Sequence, residues 1–352
     1  MNIVSGFISN INTRLDRDIT KYLKYGCELM AVEIPMTIFI ERMVFDEHIS
    51  SCIFSDESSN SYAHSPAKLP TSVSPENYLI PERRMSVGID HSSLRNFPVG
   101  DRVYGEFVYR IRGGVMDGIQ QKYSYVKVGH ITFVFFELRD LFLWSYRALG
   151  HRFQLNTGNP TKDTIEYMMV QCQKSEWIAI ASQLVDGIGL EYVKNSGELC
   201  SQEFVWIDFG AFHMFGGKID IFQTELYKLR GRINRRLLHP IPERRMSVGI
   251  DQTGTGGSYR VTFARCWDPN HVYYGDIYRD VNWLFAGSVF GGGGDAMQKF
   301  ALRVREKCLQ VLRERNTLMW EINIWVLIYR EAPELFALYP SDHSEILFRG
   351  YS

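Results

Sequence analysis

The opening of the chain sets its fold class. Residues 3–8 are a short apolar run, the pattern of a strand buried on both faces. Residues 16–30 then place Ile19, Leu23 and Cys27 at helical spacing, and residues 36–40 return to β-type side chains. Strand, helix, strand is how a mostly parallel sheet with covering helices begins. The alternation continues: residues 131–137 read as an apolar strand leading into a helix over 138–149. Residues 167–170 read as another strand, followed by a helix over 175–184, and residues 204–207 as a buried strand that stops on Asp208. Near the end, residues 295–313 put Met297, Phe300, Ala301, Val304, Cys308 and Val311 on one face of an amphipathic helix. A buried helix over 320–330 follows, closed off by Pro333. The expected class is α/β: one domain over residues 1–352, with a mostly parallel central sheet and helices on both faces.

Two segments stand apart from this alternation. Residues 55–78 are dominated by Ser, Pro, Asn and Asp, the composition of a surface insertion with no apolar face to bury. The segment Ile-Pro-Glu-Arg-Arg-Met-Ser-Val-Gly-Ile-Asp occurs twice without a change, at 80–90 and 241–251, with flanks that do not match. That excludes a solenoid period or a duplicated domain.

Composition narrows the function classes. A formal net charge of −1 argues against a nucleic-acid binder held mainly by phosphate contacts. The cysteines Cys27, Cys52, Cys172, Cys200, Cys266 and Cys308 are scattered without Cys-x-x-Cys spacing, against a zinc site or a dense disulfide framework. The N-terminal residues lack a charged segment followed by an apolar one, and the most apolar stretches, near 131–136 and 322–329, are too short to span a bilayer. A cytoplasmic protein without a transmembrane segment is the expectation.

Four stretches carry candidate chemistry. The first is Phe204-Val-Trp-Ile-Asp-Phe-Gly-Ala-Phe-His213, where an apolar strand ends abruptly in one carboxylate. Open α/β sheets bind ligands at the carboxyl ends of their strands, and an Asp there suits a divalent cation that bridges a diphosphate. An Asp that caps the next helix fits the same pattern. The second is the glycine-rich run through Gly287, Gly291 and Gly292, between an apolar strand and a helix, where a ligand could approach the backbone closely or the chain could simply be a flexible linker. It has neither a Walker pattern nor Gly-x-Gly-x-x-Gly order. The third is Met319-Trp-Glu-Ile-Asn-Ile-Trp325, in which Glu321 and Asn323 sit among large apolar residues and must be hydrogen-bonded anchors or site residues. The fourth is Tyr339-Pro-Ser-Asp-His343, where His343 is a candidate metal or phosphate ligand. Lys228, Arg230, Arg232, Arg235 and Arg236 within 226–238 read as a solvated helix face, with a phosphate-facing patch as the alternative.

In this order, Trp-Ile-Asp-Phe-Gly, Phe-Ala-Gly-Ser-Val-Phe-Gly-Gly, Trp-Glu-Ile-Asn-Ile-Trp and Asp-His resemble the HtrL/YibB family of putative glycosyltransferases. Asn159-Pro-Thr-Lys-Asp-Thr-Ile-Glu-Tyr167 and Lys174-Ser-Glu-Trp177 are similar to that family too, and the likeness covers about residues 128–348. The tail is more distantly similar to histo-blood-group-type galactosyl- and N-acetylgalactosaminyltransferases. Both likenesses imply a GT-A-like nucleotide-diphospho-sugar transferase fold. They also imply a metal-assisted hexosyl transfer, as in polysaccharide biosynthesis, from a nucleotide-sugar donor (a UDP-sugar is expected) to a glycan or other hydroxyl acceptor. On that likeness Asp208 takes the place of an Asp-x-Asp motif whose third position here is Gly210, so Asp208 and His343 would hold Mn²⁺ or Mg²⁺. Glu321 would face the sugar as nucleophile, base or acceptor anchor. Lys174 would neutralise a phosphate, and Gly287, Gly291, Gly292 and Asn323 would shape the donor and acceptor walls. The blood-group similarity leans toward retention of configuration. The alternative is a catalytically inactive sugar-nucleotide- or carbohydrate-binding protein on the same fold.

Overall fold

The computed structural model describes residues 1–9, 19–50, 102–111, 117–152, 162–187, 202–238, 259–268 and 275–351. The Ser/Pro-rich segment 55–78 and both copies of the repeated segment lie outside them. The strands are β1 (Asn2–Phe7), β2 (Met36–Ile40), β3 (Arg102–Arg110), β4 (Gln120–Val128), β5 (Ile131–Phe135), β6 (Glu203–Ile207), β7 (Val261–Arg265), β8 (Phe285–Gly293) and β9 (Phe336–Pro340). The longer helices are α1 (Ile19–Met30), α2 (Ile165–Gly187), α3 (Ile219–Leu238), α4 (Gly294–Arg315) and α5 (Glu321–Glu331), with a short α6 (Ile346–Arg349) at the end.

Among the described residues, nine strands join one sheet in the order β3-β4-β5-β2-β1-β6-β8-β7-β9. The protein is α/β, but its sheet is mixed and not mostly parallel. β5, β2, β1 and β6 run parallel, as do β7 and β9. β3 and β4 pair antiparallel with their neighbours at one edge, and β8 runs against both β6 and β7. The parallel part is what the apolar runs announced: β2, β5 and β6 are buried at every position.

Because strand side chains alternate between faces, each face carries its own core. Phe39, Val134, Phe204, Trp206, Phe263 and Phe290 pack beneath α2, α4 and α5. Ile3, Ile38, Phe133, Val205, Ile207 and Val289 pack beneath α1, α3 and α6. On the first face, Trp177 of α2 stacks between Phe39 and Trp206, with ring centroids 5.5 and 5.7 Å away. It does so by lying across Gly6 of β1, where a Cβ would come within 2.7 Å of the indole. Burial of aromatic rings in such offset stacks adds about 0.5–1.5 kcal/mol per pair beyond the area covered.

Several expected boundaries move. Residues 167–170 are not a strand. They lie inside α2, whose Met168, Met169, Ile178, Ala179, Ile180 and Ala181 are all buried, so the helix lacks the amphipathic period that would have revealed it. Residues 138–149 form short 3₁₀ turns and not one helix. The glycine run is neither a loop nor a linker: Gly287, Gly291 and Gly292 belong to β8. A Cβ on Gly291 would meet the Phe204 carbonyl oxygen at 2.2 Å and the Val205 Cα at 2.8 Å. Gly291 there lets β6 and β8 approach each other. Three of the arginines of α3 are structural pins, whereas Arg235 is exposed. Arg232 donates to the carbonyls of Phe348 and Tyr351, Arg236 pairs with Glu203, and Arg230 donates to the carbonyl of Glu33.

Gly291→Ala should therefore act on folding. Overpacking of this kind costs about 1–3 kcal/mol, so the urea midpoint should fall with little change in the slope of unfolding. An unchanged midpoint would mean that β6 and β8 part without strain.

Candidate functional site

β1 leads through α1 to β2 on one side, whereas β6 lies on its other side. The strand order therefore reverses between β1 and β6, the place where open α/β sheets leave a crevice outside their carboxyl ends. A cavity of about 540 Å³ opens there. The end of β1 supplies Phe7, Ile8 and Ser9, and the end of β6 supplies Asp208, Phe209 and Gly210. Ser9 is fixed by Glu41, which follows β2 and accepts from its backbone N–H at 2.8 Å and from its hydroxyl at 2.6 Å. As β8 runs against β6, its first residues, including Gly287 and Ser288, come to the same edge, and the Asp208 N–H donates to the Ser288 carbonyl at 3.0 Å. The start of α5 brings Glu321, and the turn after β9 brings His343. α2 lies along the cavity with Tyr167, Val170, Gln171, Lys174 and Trp177, spaced as one face of a helix.

The floor is a charged cluster built on Lys174. This lysine is 4% exposed. Its Nζ lies 3.0 Å from Asp208 Oδ1, 3.1 Å from Glu321 Oε1 and 3.2 Å from the Gly287 carbonyl oxygen. An ammonium has three N–H donors, and here three oxygens accept them. Asp208 Oδ1 also accepts the indole N–H of Trp206 at 2.7 Å. Glu321 is the first residue of α5, where the helix dipole favours a negative charge, and it is 3% exposed. A Cβ at Gly287 would lie 2.4 Å from Glu321 Oε1, so a larger residue there would push that carboxylate away from Lys174.

Burial and pairing act in opposite directions on these groups. Burial opposes the charge of Lys174, but Asp208 and Glu321 outweigh it and hold the ammonium above its ordinary value. Burial likewise opposes ionisation of Asp208, and Lys174, the Trp206 N–H and Ser288 outweigh it, so the carboxyl stays below its ordinary value. Removing one member of a buried ion set leaves another uncompensated, at a cost of about 3–5 kcal/mol.

The wall above the floor is aromatic. Trp320 packs against Tyr167 and Trp283, at 5.7 and 5.8 Å between centroids, and Trp283 meets the His343 ring edge-on at 4.8 Å. The Lys162 ammonium sits 5.2 Å from the Trp320 ring centre. Burial lowers the pKa of His343, helped by Lys162 and opposed by Asp342, so its imidazole is neutral at pH 7.

Of the expected site residues, Asp208, Glu321, Lys174, Gly287 and His343 all line this cavity. Three others do not. Gly291 and Gly292 pair with Val205 and Phe204, toward the opposite end of β6 from Asp208. Asn323 is an anchor, accepting from the Asn282 N–H and donating to the carbonyls of Ile277 and Asp280. The sequence reading missed Trp206, Trp283, Tyr22, Lys162 and His213, which also line the cavity. Only Trp206 had a local signal, because two residues before a strand-end Asp is the same face of the strand.

The residues fit an implied Mn²⁺ or Mg²⁺ poorly. Such hard cations take several oxygen ligands, and Asp208 already shares its Oδ1 between an ammonium and an indole. Among the described residues, no three His, Cys, Asp or Glu side chains gather to hold a metal. Among those residues, too, no helix is long and apolar enough to cross a membrane. Compared with known protein families, curated proteins and solved structures, the chain matches none.

The cluster sets a pH dependence. The contribution of Asp208 is complete above its ordinary value of 3.8 and is lost as the pH falls through its lower folded value. That of Lys174 is complete below 10.5 and is lost as the pH rises through its higher folded value. The difference in Tm between the parent and Asp208→Asn should hence be flat from about pH 5 to pH 9 and shrink below about pH 4. A difference that varies across the neutral range would show that Asp208 is not held in this pair.

Proposed function

We propose that this chain is a glycosyltransferase that moves a sugar from a nucleotide-diphospho-sugar to a hydroxyl acceptor. One observation carries the reading: two carboxylates, Asp208 and Glu321, share one buried ammonium on the floor of a cavity at the point where the strand order reverses. The GT-A-like reading of the fold belongs to the same proposal. With the β3–β4 hairpin set aside, the seven remaining strands are ordered 3-2-1-4-6-5-7, the sixth running against its neighbours. That is a doubly wound half suited to a nucleotide, extended through one reversed strand that carries the acceptor side.

Loss of the nucleotide diphosphate leaves negative charge, which the Lys162 ammonium at the cavity wall is placed to stabilise. The sugar meanwhile gains oxocarbenium-like positive charge, for which the ionised Asp208 and Glu321 are the complement. Glu321 has one oxygen on Lys174 and a second, Oε2, that is buried without a hydrogen-bond partner. The aromatic wall of Tyr167, Trp283 and Trp320 suits the apolar face of a sugar ring. The chemistry is electrostatic and positional throughout.

The test begins with the full chain and UDP-, GDP-, CMP- and dTDP-sugars, because a ligand that binds only the folded state raises its Tm. With the donor so found, Glu321→Gln should lower transfer by ~10²-fold or more while donor affinity stays within a few fold, as for a group that acts when charge develops. A parent that binds the donor yet neither transfers nor hydrolyses it would establish the binding-protein alternative.

A further inference from the structure

We propose that Lys174 is a built-in cation that fills the place of a divalent metal, so that the site works on charge supplied by the chain itself. The inference takes the cavity as the donor site proposed above, but its test reads metal binding and stability and is decided separately from transfer.

Three oxygens from three distant segments converge on one point: Asp208 Oδ1 after β6, the Gly287 carbonyl in β8 and Glu321 Oε1 at the start of α5. Two carboxylates and a carbonyl are the ligand types of a hard cation. The group at their centre is an ammonium that reaches in from the middle of a buried helix, and all three of its donors are used. Lys174 is therefore not free to serve a phosphate, the role the sequence suggested. Instead it positions both carboxylates by fixing one oxygen of each. The Asp208 side chain is one-third exposed, so a metal could reach it only at Oδ2, beside a fixed positive charge that repels it. Gly210 stands where an Asp-x-Asp pattern would supply the second acid, and Lys174 restores from the chain the charge balance that a metal would otherwise give.

Removing the ammonium should convert the cluster into a metal site. Mn²⁺ titration of the full parent chain, followed by the resonance of free Mn²⁺, should show no binding tighter than about 1 mM, a level corresponding to weak, non-specific contacts. Lys174→Ala should bind Mn²⁺ at least tenfold more tightly than the parent, and its Tm should rise with added Mn²⁺. Lys174→Ala combined with Asp208→Asn should lose that gain. Lys174→Met, which keeps the aliphatic volume, separates loss of packing from loss of charge: it should be destabilised like Lys174→Ala and regain Tm in Mn²⁺ less fully, because its side chain still occupies the space. Sub-millimolar Mn²⁺ binding by the parent that Asp208→Asn abolishes would overturn the proposal. So would a folded Lys174→Ala that binds Mn²⁺ no better than the parent. If Lys174→Ala fails to fold even with Mn²⁺, the parent titration decides alone.

Discussion

A single buried ammonium ties together the parts of this molecule that sequence keeps far apart. Lys174 projects from α2 to Asp208, Gly287 and Glu321, so the helix, the end of β6, the start of β8 and the start of α5 are fixed relative to one another by one charge. The attraction has to exceed the loss of hydration on both sides, which a lysine achieves only when its partners are close and each of its donors is used. That requirement explains the small residue at Gly287, which leaves room for the Glu321 carboxylate, and the Trp206 indole, which takes up the remaining capacity of Asp208 Oδ1.

The ammonium in turn depends on α2 lying flat on the sheet, and the aromatic row fixes that. Trp177 is three residues along the same helix from Lys174, one turn away on the same face. Its ring fills the notch above Gly6 and stacks on Phe39 and Trp206. Trp206 then continues to Phe290 and Phe263 across β8 and β7. The core that holds the sheet to its helices and the cluster at the floor of the cavity thus share Trp206, whose ring packs in one and whose N–H donates in the other. Packing and site electrostatics are joined in one side chain.

Strand direction explains which candidates meet. Among the described residues, strands reach the cavity from the carboxyl ends of β1, β6 and β9 and from the amino end of the reversed β8. Gly287 is at that end of β8, and Gly291 and Gly292, four and five residues further on, are carried toward the other edge of the sheet. Asn323, two residues past Glu321, turns about 200° around α5 and satisfies backbone groups of residues 277–282 instead. In each case residues that look equivalent in a motif are separated by the ordinary geometry of a strand or a helix.

Several things were legible in the residues alone. Runs of apolar residues buried on both faces, at 3–8, 36–40, 131–135 and 204–207, announced the parallel strands, because only a central strand needs to be apolar at successive positions. The abrupt stop at Asp208 announced a carboxylate at the sheet edge, and Glu321 in an apolar setting announced either a hydrogen-bonded anchor or a site residue. The mixed direction of the sheet was not legible, since a strand that runs backwards has the same side-chain alternation as one that runs forwards. Residues 167–170 were misread because a helix buried on all sides loses its period. Above all, only the tertiary structure decided what Lys174 does. A lysine in a helix is charged whether it faces water or a phosphate. Its burial against Asp208 and against Glu321, the latter 147 residues away in the chain, arises from separate strands and helices, a distance across which local pattern carries no information.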